Sequence, residues 1–261
     1  MKSVQLINFK KSNYKSVNKF DNMKKPSITT IIVLLCILII GLYAMGEVNY
    51  FSSKIIVERN IESPTILIPS IGVNEKINNI SLNQGVLSDP GENLPSKDPV
   101  VLYGHRTLQG SPFLRLNELS VGDTLILEWP GIGELNYTVK NSEIVPATYN
   151  LQIEGENSLY LITCDPIGST ANRIIVYCEL NEINPINTEI IQNNPQESNA
   201  IIISVAFLIA GLIFSLIYFK DERAYILATV LIISAILFYC CINPIPSELI
   251  YDKIIFLNGG L

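Results

Sequence analysis

The sequence predicts an all-β domain outside a membrane, held to it by three transmembrane helices, one N-terminal and two C-terminal. Three observations predict this. Uncharged apolar stretches at Pro26–Gly46, Ser198–Phe219 and Ala224–Ser247 each reach the about 20 residues that a helix needs to cross a hydrocarbon core. Between the first two lies a polar segment, residues 47–197, of a size that suits one compact core. Inside it, short runs of β-branched and aromatic residues alternate with Gly, Pro, Asn and Asp turn signals, the pattern of a β-sandwich or barrel.

Charge orients the chain. Residues 1–26 carry seven Lys against one Asp, a net of +6, whereas residues 47–197 carry eight basic against nineteen acidic residues, a net of −11. Basic flanks stay in the cytoplasm, so the N-terminus is expected inside and the acidic domain outside. An acidic domain also argues against nucleic acid as a partner and leaves membrane lipid as the expected contact of the spans. The first apolar run is longer than the 7–15 residues of a signal-peptide core, and Ala44-Met45-Gly46 is a poor cleavage site, so a retained anchor is expected. The resulting order is a basic cytoplasmic head (1–25), an anchor (26–46), a connector (47–62), the β-domain (63–180) and a linker (181–199). A span (200–219), a cytoplasmic loop (220–223), a second span (224–242) and an outer tail (243–261) follow.

Within the β-domain, Thr65–Pro69 and Pro99–Tyr103 open as apolar runs, and Asp123–Trp129, Leu135–Val139, Ser158–Thr163 and Arg173–Leu180 follow as strands. One helical turn is expected at Ser111–Leu119, with Ser111 as cap and Pro112 at the first helical position.

Three residues carry the candidate chemistry. His105, the single histidine, ends the apolar run Leu102-Tyr103-Gly104, and Cys164 ends Leu159–Thr163. Arg173 opens the next strand after a turn containing Pro166, Gly168 and Asn172. If that turn closes a hairpin, Cys164 and Arg173 face one another at about 5.5 Å between Cα atoms. Cys178 would then lie well over 10 Å along the strand, beyond the about 7 Å limit for a disulfide, and its parity with Ile174 and Val176 marks it as a core residue. A thiol with an ordinary pKa near 8.5 needs an adjacent base or cation to react as thiolate, and an arginine can hold the oxyanion of a tetrahedral intermediate.

The run Tyr103-Gly104-His105-Arg106, the segment from Ser111 to Asp123 ending in Leu119-Ser120-Val121-Gly122-Asp123, and Leu161-Ile162-Thr163-Cys164 with Arg173 nine residues on together resemble the sortase family. Asp89-Pro90-Gly91 and Ile66–Val73 are similar to further family segments. Leu159 or Tyr160 stands where the family's cysteine motif has Thr. The resemblance spans residues 63–180 and implies a closed β-barrel, with His105, Cys164 and Arg173 catalytic in a cysteine transpeptidase. Such an enzyme cleaves the Thr–Gly bond of an LPxTG-like sorting signal through a thioacyl intermediate and passes the surface protein to an amine of the cell envelope or a pilin lysine. Thr163 and the loop Val145–Asn157 are the expected substrate contacts. Gly46–Glu62 lacks the Asp-Pro-aromatic motif of the lid found in pilin-polymerising members, so no lid is expected.

Other readings compete. An L,D-transpeptidase would place arginine two residues after the cysteine, where this chain has Pro166; a papain-like protease needs its cysteine before its histidine. A non-enzymatic, membrane-tethered binding domain would leave His105, Cys164 and Arg173 replaceable. With one His and no CxxC, no metal site and no cofactor is expected.

Overall fold

The computed structural model describes residues 25–58, 63–88, 94–107, 109–192, 196–245 and 250. The head before residue 25, the Asp89-Pro90-Gly91 run and most of the tail lie outside the described residues.

Eight strands form a closed barrel: β1 (Thr65–Ile68), β2 (Val73–Asn78), β3 (Val86–Ser88), β4 (Val100–Tyr103), β5 (Thr124–Trp129), β6 (Gly133–Pro146), β7 (Ser158–Asp165) and β8 (Asn172–Asn184). Their order is β1-β2-β3-β4-β7-β8-β6-β5, and β1 pairs with β5 to close the ring. The β2–β3 and β4–β7 pairs are parallel and the others antiparallel. Alternate residues fill the interior, as a period of two requires: Ile66 and Ile68, Val100 and Leu102, Leu125 and Leu127, Leu159 and Leu161, Ile174 and Val176 are all buried in one cluster. Cys178 belongs to that cluster and is a free thiol.

β7 reads as an unbroken apolar run because its second face is covered too. Tyr160 and Ile162 pack outside the barrel against Val101, Val145 and Ile175, flanked by Tyr103, Leu151 and Tyr177. The Tyr160 hydroxyl donates to the Glu154 carbonyl at 3.2 Å, fastening the loop before β7 over this patch.

Several boundaries differ from the sequence expectation. Helix α1 runs from Ile28 to Glu58, so residues 47–58 continue the anchor helix where a connector was expected. β8 reaches Asn184, and α2 (Thr188–Gln192) occupies part of the expected linker. Between Pro112 and Arg115 the chain makes turns, followed by a short 3-10 segment at Leu116–Glu118. Ser111 has a φ of 45° and is not a helix cap. Strand β2 was not expected because Asn, Glu and Lys interrupt it. Glu75 nevertheless occupies a buried position there, paired with Lys54 of α1.

Helices α3 (Asn199–Ile217) and α4 (Arg223–Ile242) pack with α1, and all three are long and apolar enough to cross a membrane. Small residues allow their close approach. A Cβ at Gly211 would lie 2.4 Å from Val230 Cγ1, and one at Gly41 would lie 2.9 Å from Ile233 Cγ2.

Candidate active site

Strand β7 lies between β4 and β8, and this order assembles the three candidate residues. On one side, parallel pairing matches Tyr103 with Ile162, and the Gly104 N–H donates to the Ile162 carbonyl at 3.2 Å. His105 and Cys164 each follow two residues beyond that matched couple, at the same ends of neighbouring strands. On the other side, antiparallel pairing places Cys164 directly opposite Arg173. Cys164 shares the parity of Tyr160 and Ile162, and Arg173 that of Ile175 and Tyr177, so both project on the outer face beside the apolar patch. Cys164 is half-buried and free.

His105 is half-buried, and desolvation holds its pKa below the ordinary 6.5. Its Nε2 meets Asn83 Oδ1 at 3.4 Å, and the same oxygen accepts from Gln109 Nε2 at 3.0 Å. An oxygen that accepts from Gln109 invites the Nε2–H form of the imidazole. The Arg173 guanidinium donates from Nη1 to the Thr170 and Asn172 carbonyls, both at 2.9 Å, which rests it on the β7–β8 turn.

Thr163, the expected substrate contact, faces the barrel interior. It is 3% exposed, and its hydroxyl donates to the Gly104 carbonyl at 2.7 Å. A side chain turned inward and used in this way ties the cysteine strand to the histidine strand. The loop after β6 is exposed from Ala147 to Tyr149, while Leu151 leans on the outer patch.

Arg106 and Asp165 were missed by the sequence reading. The Arg106 guanidinium is 8% exposed and pairs with the Asp165 carboxylate. It also donates to Asn117 Oδ1 at 2.7 Å, to the Leu114 carbonyl at 3.2 Å and to the Cys164 carbonyl at 3.5 Å. One planar fork thus joins the histidine loop, the 3-10 segment and the end of the cysteine strand. The signal was adjacency: an arginine follows His105 and an aspartate follows Cys164. Among the described residues, no group of three or more His, Cys, Asp or Glu is placed to hold a metal ion.

Residues 66–181 match the family model described as Sortase domain. Among solved structures, sortase C-1 from Actinomyces oris is 30% identical, with 46% of this chain and 72% of that chain covered and a TM-score of 0.40. Sortase C1 from Streptococcus agalactiae is 26% identical over 46% of this chain and 67% of that one, with a TM-score of 0.41. A lid mutant of sortase A from Corynebacterium diphtheriae is 24% identical over 48% and 73%, with a TM-score of 0.43. No curated protein sequence matches the chain.

Proposed function

Because this chain belongs to the sortase family, we propose that it is a membrane-anchored cysteine transpeptidase in which Cys164 is the nucleophile, His105 the acid–base and Arg173 the oxyanion donor. The observation that carries this reading is the strand order β4-β7-β8, which flanks Cys164 with His105 on one side and Arg173 on the other. Burial lowers the His105 pKa, so the resting imidazole is neutral near pH 7 and can take the thiol proton. The Cys164 sulfur then adds to the carbonyl carbon of the Thr–Gly bond in an LPxTG-like signal. The carbonyl oxygen gains the negative charge, and Arg173 leaves the turn carbonyls to hold it. The C–N bond breaks as His105 returns the proton to the departing amine, leaving a thioacyl enzyme. An incoming amine of the cell envelope, or a pilin lysine, adds to the thioester carbon, gives its proton to His105 and expels the Cys164 thiolate. Water in place of the amine gives hydrolysis.

The apolar patch around Ile162 and Ile175 offers a surface for the extended signal peptide beside the thiol. The basic head and the acidic outer segment support a cytoplasmic N-terminus with the barrel outside. The test is peptide cleavage by the full chain in lipid nanodiscs, using a library of LPxTG-like peptides with and without a glycine-peptide or lysine acceptor. Transfer to the acceptor, lost in Cys164→Ala, His105→Ala and Arg173→Ala, is the expected result. Cleavage that persists in Cys164→Ala would overturn the reading, and a tethered binding domain would show no turnover with any peptide.

A further inference from the structure

The anchor helix reaches the histidine through an unbroken line of hydrogen bonds. Glu47, in α1, accepts the backbone N–H groups of Gln109 and Gly110, both at 2.9 Å. Those two residues have φ values of 53° and 74°. Successive N–H groups in that conformation point to one side and form a cradle for an anion, here a carboxylate. The cradle is held closed by Tyr50, one turn along α1. A Cβ at Gly110 would lie 2.6 Å from its ring, so no larger residue fits there without displacing the helix. Gln109 is 3% exposed, and its side chain donates to Asn83 Oδ1, the oxygen that faces His105 Nε2. Farther along α1, Lys54 pairs with Glu75 of β2 and fixes the helix against the barrel wall.

We propose that Glu47, Gln109 and Asn83 are positioning residues, through which the membrane-anchor helix sets the orientation and tautomer of His105. This rests on the role assigned to His105 above. Glu47 lies nineteen residues after Ile28, where α1 begins. At about 1.5 Å per residue this is about 28 Å, close to the about 30 Å thickness of a hydrocarbon core. The carboxylate therefore grips the histidine loop at the membrane boundary. The active-site end of the barrel then faces the bilayer, where a membrane-held peptide emerges. A barrel cut free of α1 loses the outer link of this line.

The test uses the full chain in lipid nanodiscs. His105 is the single histidine, so 15N-histidine labelling reports its tautomer without assignment and without substrate. Wild type is expected to show the Nε2–H tautomer at neutral pH. Asn83→Ala and Glu47→Ala are expected to give a mixture of tautomers and to lower kcat about tenfold with KM little changed. That loss is part of the about 10²–10⁴-fold that positioned acid–base catalysis supplies. Glu47→Gln keeps one acceptor oxygen and is expected to recover most of both signals. Gln109→Leu cuts the line without touching α1 and provides the same readout should Glu47→Ala not fold. A wild-type tautomer in both Glu47→Ala and Gln109→Leu, or an unchanged kcat in both, overturns the proposal. Failure of the transpeptidase reading looks different: Cys164→Ala would stay active, whatever the histidine spectrum shows.

Discussion

Gly104 precedes the histidine because Phe113 occupies the space a side chain would need. A Cβ there would lie 2.5 Å from Phe113 Cδ2, and Phe113 is fully buried. Gly104→Ala is therefore expected to destabilise the protein by about 1–3 kcal/mol, the usual cost of overpacking. Because the displacement falls next to His105, kcat should fall further than stability alone explains, as denaturant melts and initial rates would reveal. The two thiols of the barrel strands should differ sharply. Burial pushes Cys178 up to about 12, so brief alkylation of the folded chain at pH 8 should label Cys164 and spare Cys178, as peptide mass spectrometry can read. His105 has a lowered pKa in the folded state, so near its ordinary 6.5 the unfolded chain binds more protons. The associated stability is present above pH 6.5 and is lost as the pH falls through the depressed folded value. Melting temperatures across that window should fall in wild type and fall less in His105→Gln. A slope that survives the substitution unchanged would assign it to other groups. At this scale the Cys164–Arg173 pairing was legible, because a short turn joins their strands. The placement of His105 at the strand end beside that of Cys164 was not, since it depends on the parallel β4–β7 pair, whose members are far apart in sequence. The inward turn of Thr163 was not legible either, for its partner is the carbonyl of Gly104 on that same neighbouring strand.

Strands with long apolar interiors announced themselves; the three-residue β3 did not, nor did β2, whose buried Glu75 is made tolerable by Lys54 arriving from α1 and by Gln196, which donates to the same carboxylate. A charged residue in a buried position reads as a solvent face until its partner is known. The sequence pattern shows β6 only over Leu135–Val139, because its pairing with β8 passes through two register irregularities, at Asn136/Tyr137 and Val139/Asn141, which break the period of two. The connection most exposed to test at this scale is the Arg106 fork between the histidine loop and the end of β7. Removing one member of a buried charged pair leaves the other uncompensated. Arg106→Met is expected to cost about 3 kcal/mol and to lower kcat, while Arg106→Lys keeps the charge but loses the fork and falls between. Urea melts with parallel rate measurements would check this. A variant as stable and active as wild type would show that Asp165 has another partner.

For the whole molecule, composition and charge gave the plan of one polar segment between apolar spans. They did not reveal that α1 continues past the first span and packs along the barrel, because residues 47–58 mix polar and apolar side chains without a clear stripe. The two C-terminal helices complete a bundle with α1, and α3 approaches α4 at Gly211 against Val230. Gly211→Leu is expected to loosen that packing and lower the thermal stability of the detergent-solubilised chain, leaving the barrel strands intact by circular dichroism. Equal melting of Gly211→Leu and wild type would show that the bundle does not depend on this contact. Whether Cys164 takes an acyl group from a sorting signal can be read by intact-mass measurement. The full chain in nanodiscs would be mixed with LPxTG-like peptides without an amine acceptor and quenched in acid. The expected result is a mass increase equal to the peptide up to its threonine, mapped to Cys164, removed by hydroxylamine and absent from Cys164→Ala. An adduct that maps to another residue, or that forms equally in Cys164→Ala, would contradict it.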